Sequence, residues 1–387
     1  MLKKVRIILT ALLLLAAVGV NAQVTTASMA GKVTDASNEP IIGATVQAVH
    51  QPSGSRYGTV TNVDGRYSIQ GMRTGGPYRV EISYIGYQTV IYKDITLQLG
   101  EVYNLNVEMS ESSELLNEVI VTAAKTKFTA EKTGATTNIS SAQMTQLPTV
   151  NRSISDIARL SPYANGMSFA GGDGRSTNFT IDGANFNNNF GLSSNLPGGG
   201  NPISMDAIEE VQVVVAPFDV RQTNFIGGGI NAITKSGTNT FRGTAYTYYR
   251  NQDMRGNRIN GEDLGARSDE SKTTYGFTLG GPIIKNKLFF FVNYEKEKTP
   301  GEVIKYRARE DGEDAKGMVS RTLKSDMEKV YNHLKDKYGY DAGSYTNFPA
   351  DEENTKLLAR IDWNITDRHR LSLRYNNCLL YTSDAAD

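Results

Sequence analysis

Between residues 356 and 364 the side chains alternate: Leu357, Ala359, Ile361 and Trp363 fall on one face of an extended chain, Leu358, Arg360, Asp362 and Asn364 on the other. Residues 370–375 repeat the pattern, with Leu371, Leu373 and Tyr375 opposite Arg370, Ser372 and Arg374. Such alternation predicts strands with one apolar and one polar face. No stretch beyond residue 22 is apolar enough for a membrane helix. If this chain enters a bilayer it must do so as a barrel, because lipid tolerates no unpaired strand edge.

Three more candidate strands precede these, at 241–250, 273–282 and 287–296. The links alternate in length: 283–286 and 365–369 are short, whereas 251–272 and 299–355 are long. Short turns on one side and long loops on the other are the rhythm of a membrane barrel. A half-buried soluble sheet shares the alternation but does not require that asymmetry. In the last loop Leu323, Met327, Val330, Tyr331 and Leu334 share one helical face, which predicts a short amphipathic helix packed on the loop.

The front of the chain predicts export. Lys3, Lys4 and Arg6 precede an apolar run at 7–20 and a small-residue break at 20–22, the layout of a signal peptide cut before Gln23. That run is shorter than the roughly 20 residues a spanning helix needs. No cysteine lies near the cut, and the single cysteine, Cys378, cannot form an internal disulfide. Lys plus Arg and Asp plus Glu both total 41, so no net charge draws the chain toward nucleic acid.

Residues 28–110 carry short alternating runs at 31–34, 44–49, 57–61, 67–69, 78–84 and 103–107, separated by turn residues, which predicts a β-sandwich. Gly31-Lys-Val-Thr-Asp35, Glu39-Pro-Ile-Ile-Gly-Ala44, Thr61-Asn-Val-Asp-Gly-Arg-Tyr67 and Ser83-Tyr-Ile-Gly-Tyr87 resemble the carboxypeptidase regulatory-like domain, an Ig-like sandwich also classed with carbohydrate-binding-like folds. That resemblance raises a zinc carboxypeptidase as a rival. A zinc hydrolase needs about three ligands and an open position. His50, His333 and His369 are widely separated, and Leu-Lys-Asp follows His333 where a closely spaced ligand would stand. The chain is therefore not expected to be an enzyme, and no catalytic residue, metal or cofactor is assigned. The sandwich is expected to serve as a spacer or docking module, with sugar binding as the weaker reading.

At 116–123 the chain reads Leu-Asn-Glu-Val-Ile-Val-Thr-Ala, a short β-branched run suited to pairing with a sheet edge. The next 110 residues or so are rich in Gly, Asn, Ser and Thr, and they carry strand signals at 179–183, 208–215 and 227–235. The order of these pieces, with Gly229-Ile-Asn-Ala-Ile-Thr-Lys235, resembles the plug of TonB-dependent outer-membrane receptors. Ala216-Pro-Phe-Asp-Val-Arg-Gln222 and Ile233-Thr-Lys-Ser-Gly-Thr-Asn239 are similar to the Oar-like branch.

The resemblance implies that Glu118, Val119, Ile120, Val121 and Thr122 are the TonB box, gripped by the TonB C-terminal domain and driven by its inner-membrane motor proteins. It also implies outer-membrane lipid around a barrel and a cargo of small ligand, glycan, peptide or protein. A SusD-like lipoprotein lid is not expected, because 217–229 lacks the Lys-Asp-Ala-Ser and Tyr-Gly-Ser-Arg elements of the SusC-like branch. Asn185, Phe186, Asn188 and Phe190 are candidates for a ligand-facing plug loop, although clustered Asn and Gly are first a loop signature. Asp173, Asp182 and Asp206 lack calcium-loop spacing.

The expected chain is mainly β: signal peptide at 1–22, sandwich at 28–110, TonB box and plug at 115–240, and the first strands of a large antiparallel transmembrane barrel at 241–377. Barrels of this family close about 22 strands, roughly 220 strand residues at about 10 per crossing. Residues 241–377 number 137, so the gene is expected to continue past Asn377. Residues 378–387 break the barrel rhythm and resemble translated adapter read-through, an expected non-native tail. The alternative in another class is a surface adhesive or structural β protein with a carbohydrate-binding sandwich.

Overall fold

A computed structural model describes residues 24–111, 119–122, 135–149, 152–188, 196, 201–215, 222, 226–265, 270–301, 306–343 and 351–382. The signal peptide at 1–22 lies outside them. The chain forms two compact units: residues 1–242 with 280–291 and 360–374, and residues 243–279 with 292–359 and 375–387.

The first unit opens with the sandwich. Its strands are β1 (Ala27–Asp35), β2 (Thr45–His50), β3 (Ser55–Val60), β4 (Arg66–Met72), β5 (Gly75–Ser83), β6 (Val90–Leu97), β7 (Val102–Asn104) and β8 (Val107–Met109). One sheet runs β4-β1-β7 with β8 also on β1, and the other begins β3-β2-β5-β6. Between them lies a core that includes Met29, Val33, Val46, Met72, Tyr78, Ile82, Ile95 and Leu97. Strand alternation places these residues inward and their neighbours outward.

Two sandwich boundaries differ from the periodic reading. The run at 103–107 divides into β7 and β8, which pair with β1 at successive stretches. Strand β6 was not expected. It buries Val90 and Ile91 side by side, and Asp94 has a φ of 63°, so the two-residue period is interrupted where a sequence reader looks for it.

After β9 (Val119–Thr122) comes the region expected to be the plug: β10 (Ala135–Ser140), α1 (Ser141–Gln146), α2 (Ile154–Ala158), the short hairpin β11 (Ala164–Asn165) and β12 (Ser168–Phe169), β13 (Asn178–Ile181), β14 (Ala184–Asn185), β15 (Ile208–Val215) and β16 (Gly228–Thr234). The sheet order is β10-β15-β16-β13-β14. β15 and β16 are buried at nearly every position, the polar Glu210, Gln212 and Thr234 included. Asp182 and Gly183 have φ of 50° and 84°, the doubly positive geometry of a tight hairpin turn between β13 and β14.

Five long strands follow, separated by short ones: β17 (Arg242–Asn251), β18 (Arg258–Ile259), β19 (Glu262–Asp263), β20 (Ser271–Ile284), β21 (Leu288–Thr299), β22 (Arg307–Arg309), β23 (Val319–Leu323), β24 (Glu352–Asn364) and β25 (Arg370–Thr382). The long ones form one sheet in chain order, β17-β20-β21-β24-β25. β25 continues through residues 378–382, where Leu379, Leu380 and Tyr381 are all exposed and the inside-outside alternation ends.

In the second unit the expected helix is present as α3 (Lys324–Tyr338), closed by Gly339 in the left-handed conformation. Its apolar stripe is covered only in part: Leu323, Met327, Tyr331 and Leu334 are half-buried where the helix meets β22 and β23, whereas Val330 is exposed.

Candidate functional site

The expected coupling segment falls partly within the described residues. Val119–Thr122 is extended and lies parallel to β6, pairing Val90 with Val119, Ile91 with Ile120, Tyr92 with Val121 and Lys93 with Thr122. It therefore completes the second sandwich sheet as β3-β2-β5-β6-β9. Glu118 lies outside the described residues.

A second contact ties the sandwich to the plug. The fully buried Leu99, just past β6, donates its N–H to Glu210 at 3.0 Å, and its carbonyl accepts from Gln212 at 2.6 Å and Asn138 at 3.1 Å. These three side chains stand on the adjacent plug strands β10 and β15. Burial pushes the Glu210 carboxyl up to about 7, opposed by the Leu99 N–H and reinforced by the charges of Glu101 and Glu209. The sequence carried one signal of this joint, the polar Glu210 and Gln212 inside an otherwise apolar strand; Leu99 itself carried none.

The β10-β15-β16-β13-β14 sheet is held to the polar face of β24 and β25 by charge. Asp182 accepts from the Thr234 N–H at 3.0 Å and from its hydroxyl at 2.5 Å, fixing the hairpin turn to β16. Its carboxylate stands 3.8 Å from Arg360 and 3.3 Å from Arg374. Arg360 also pairs with Asp362 at 2.8 Å and donates to the Thr234 carbonyl at 2.6 Å. Arg73 of the sandwich lies 3.7 Å from Asp362. The sequence offers Asp182 only beside Asp173 and Asp206, without calcium-loop spacing; its partners Arg360 and Arg374 lie far away in the chain.

Below the hub the sandwich meets the short barrel turns. The guanidinium of Arg370 sits 3.9 Å from the Tyr57 ring centroid, and Asn364 donates to Ser55 at 3.1 Å. The Asn239 N–H donates to the Pro52 carbonyl at 2.8 Å.

Within the expected ligand-facing loop, Asn185 is exposed, Phe186 and Asn188 are half-buried, and Phe190 lies outside the described residues. Asn185 accepts from the Asn187 N–H at 2.7 Å, and Asn187 accepts from the Phe179 N–H at 2.6 Å. Amides in this segment thus support the β13–β14 hairpin. His50 is buried, hydrogen-bonded to Ser53 at 2.7 Å and packed on Tyr78, and burial pushes its imidazole down to about 3. It is a neutral core residue. Among the described residues no three His, Cys, Asp or Glu side chains group to hold a metal.

The long strands reverse the usual distribution of polarity. On β24 Lys356, Arg360 and Asp362 are 1%, 7% and 1% exposed, while Ile361 and Trp363 are 42% and 45% exposed. A water-soluble protein turns its charges outward; here charges are enclosed and apolar rings face out. β20 agrees, exposing Tyr275, Phe277 and Leu279. Residues 233–303 match the family described as the outer membrane beta barrel domain, and residues 28–110 the carboxypeptidase regulatory-like domain. The chain is 25% identical over 374 residues to the TonB-dependent transporter Oar of Myxococcus xanthus, across 89% of this chain and 33% of that protein.

This chain resembles the Oar-like TonB-dependent transporters.

The Oar-like chain spans about a third of the length of that curated relative. Among solved structures, the siderophore receptor PirA of Acinetobacter baumannii aligns at 21% identity over 65% of this chain and 32% of its own, with a TM-score of 0.42. The outer membrane transporter YddB of Escherichia coli aligns at 17% identity over 64% and 33%, with a TM-score of 0.42. The Myxococcus xanthus relative is named as a transporter.

Proposed function

We propose that the protein is an energy-coupled transporter of the bacterial outer membrane, with the sandwich in the periplasm and the plug inside the barrel. A ligand binding at the outer plug face shifts the plug, and the TonB C-terminal domain draws on Glu118–Thr122 with work supplied from the inner membrane. The observation that carries this reading is the Asp182–Arg360–Arg374 contact, which ties a distinct sheet to the polar face of strands whose other face is apolar. A β strand suits the handle because backbone pairing resists tension whatever the side chains. Siderophore, glycan, peptide and protein remain the cargo classes.

Pull-down with a TonB C-terminal domain tests the reading. Capture of the wild-type protein, lost when Val119, Ile120 and Val121 are all replaced by proline, is the expected result. Indifference of the wild type to TonB contradicts it and favours an adhesive surface protein.

A further inference from the structure

The sandwich sheet would end at β6 but for the coupling strand. Left open, Val90–Lys93 would present a row of unpaired backbone groups, a template for any passing strand. Val119–Thr122 covers it with four residues in register. The approach is guided as well: the Gln88 N–H donates to the Ser110 carbonyl at 2.9 Å, and Tyr87 bridges Glu111, so the chain leaving β8 is led back toward the start of β6. Among the described residues β9 is the last strand of its sheet, with one edge on β6 and the other carrying no strand.

We infer that the sandwich is part of the coupling interface: it holds Val119–Thr122 extended on β6, and an extended strand of the energy-coupling partner adds to the outer edge of β9 as the next strand of the same sheet. This rests on the proposed role of Glu118–Thr122 as the coupling segment.

The physical gain is preorganisation. A free linker loses about 1–2 kcal/mol of backbone entropy per residue when it is straightened. A strand already straightened by β6 spares the partner that loss. The shelf is also anchored, because Leu99 binds β6 to the plug sheet and Tyr57 and Arg370 bind the sandwich to a barrel turn. Strain applied at β9 is therefore passed to the plug through the sandwich as well as along the linker.

The test is a disulfide lock. Lys93 and Thr122 are partners in the ladder and Lys93 is exposed, so the pair is replaced as Lys93→Cys with Thr122→Cys in a Cys378→Ser background. Neighbouring strands bring Cα atoms within disulfide range. The cross-link is expected to form on mild oxidation, and the oxidised protein should bind the TonB C-terminal domain as tightly as the reduced form or up to about tenfold more tightly. Failure to cross-link, or tenfold weaker binding once locked, overturns the inference while the coupling role stands on the reduced protein's binding. Absence of TonB binding by wild type and reduced protein alike overturns that role and the inference with it.

Discussion

Asp182, at the tip of the β13–β14 hairpin, faces Arg360 on β24 at 3.8 Å, and both side chains are almost fully enclosed. Two carboxylates, Asp182 and Asp362, serve three guanidinium groups, those of Arg73, Arg360 and Arg374. Asp182→Ala removes half of the negative charge, leaves Arg374 without its carboxylate and leaves the buried Arg360 with Asp362 alone. Breaking one side of a buried pair costs about 3–5 kcal/mol. The expected outcome is a matching loss in thermal stability and faster proteolysis within 135–234. A double-mutant cycle with Arg360→Ala should give a coupling of about 1 kcal/mol or more; an additive cycle contradicts the hub.

The Glu210 joint makes stability depend on pH. Its folded value of about 7 lies above the ordinary 4.5, so the neutral form is favoured by folding. The stabilisation is full below about pH 4.5 and is lost as pH rises through about 7. The shift sets a ceiling of about 3 kcal/mol. Thermal melts between pH 5 and 8 should show the midpoint falling as pH rises, and Glu210→Gln should flatten that slope. A wild-type midpoint that does not fall over this range contradicts the assignment.

Gly31 marks a close approach between sandwich strands. A Cβ there would stand 1.9 Å from the Leu105 carbonyl oxygen, which also accepts the Tyr67 hydroxyl at 2.8 Å. Backbone cannot step aside as a side chain can. Gly31→Ala should therefore cost more than about 3 kcal/mol, seen as loss of the sandwich's cooperative unfolding transition. A stable, unchanged sandwich contradicts this packing.

In the second unit Glu295 receives Lys356 at 2.9 Å and the Tyr246 hydroxyl at 2.8 Å, with both charged side chains buried. Lys356→Met alone should destabilise by about 3 kcal/mol, whereas Lys356→Met with Glu295→Leu should recover most of it, since an apolar pair replaces a buried ion pair at small net cost. A double variant as unstable as the single one argues against the pairing.

What the sequence revealed follows from how local each signal is. The β15 strand was legible to the residue, because apolar runs and turn residues are local. So were the β24 faces, since strand alternation needs no partner. The β6 strand was hidden by the Asp94 irregularity, and the fate of the coupling segment was hidden with it: Val119–Thr122 announces a strand but not which edge it joins. The α3 stripe predicted the helix and the face that turns toward β22 and β23, but not that the cover is partial, because periodicity says which face is apolar and nothing of how much covers it. Leu99 and Asp182 find their partners at separations from 39 residues upward, beyond the reach of any spacing rule.

The account stands on the strands meeting lipid with their apolar face, and site-directed labelling measures that directly. Ile361→Cys, Trp363→Cys and Leu358→Cys, each in a Cys378→Ser background, can carry an environment-sensitive fluorophore in the protein assembled in outer membranes. Quenching by nitroxide-labelled lipid should be strong at 361 and 363 and weak at 358, following the exposure of the first two and the burial of the third. Equal quenching at all three, or protection of 361 and 363 with 358 exposed to lipid, would contradict it.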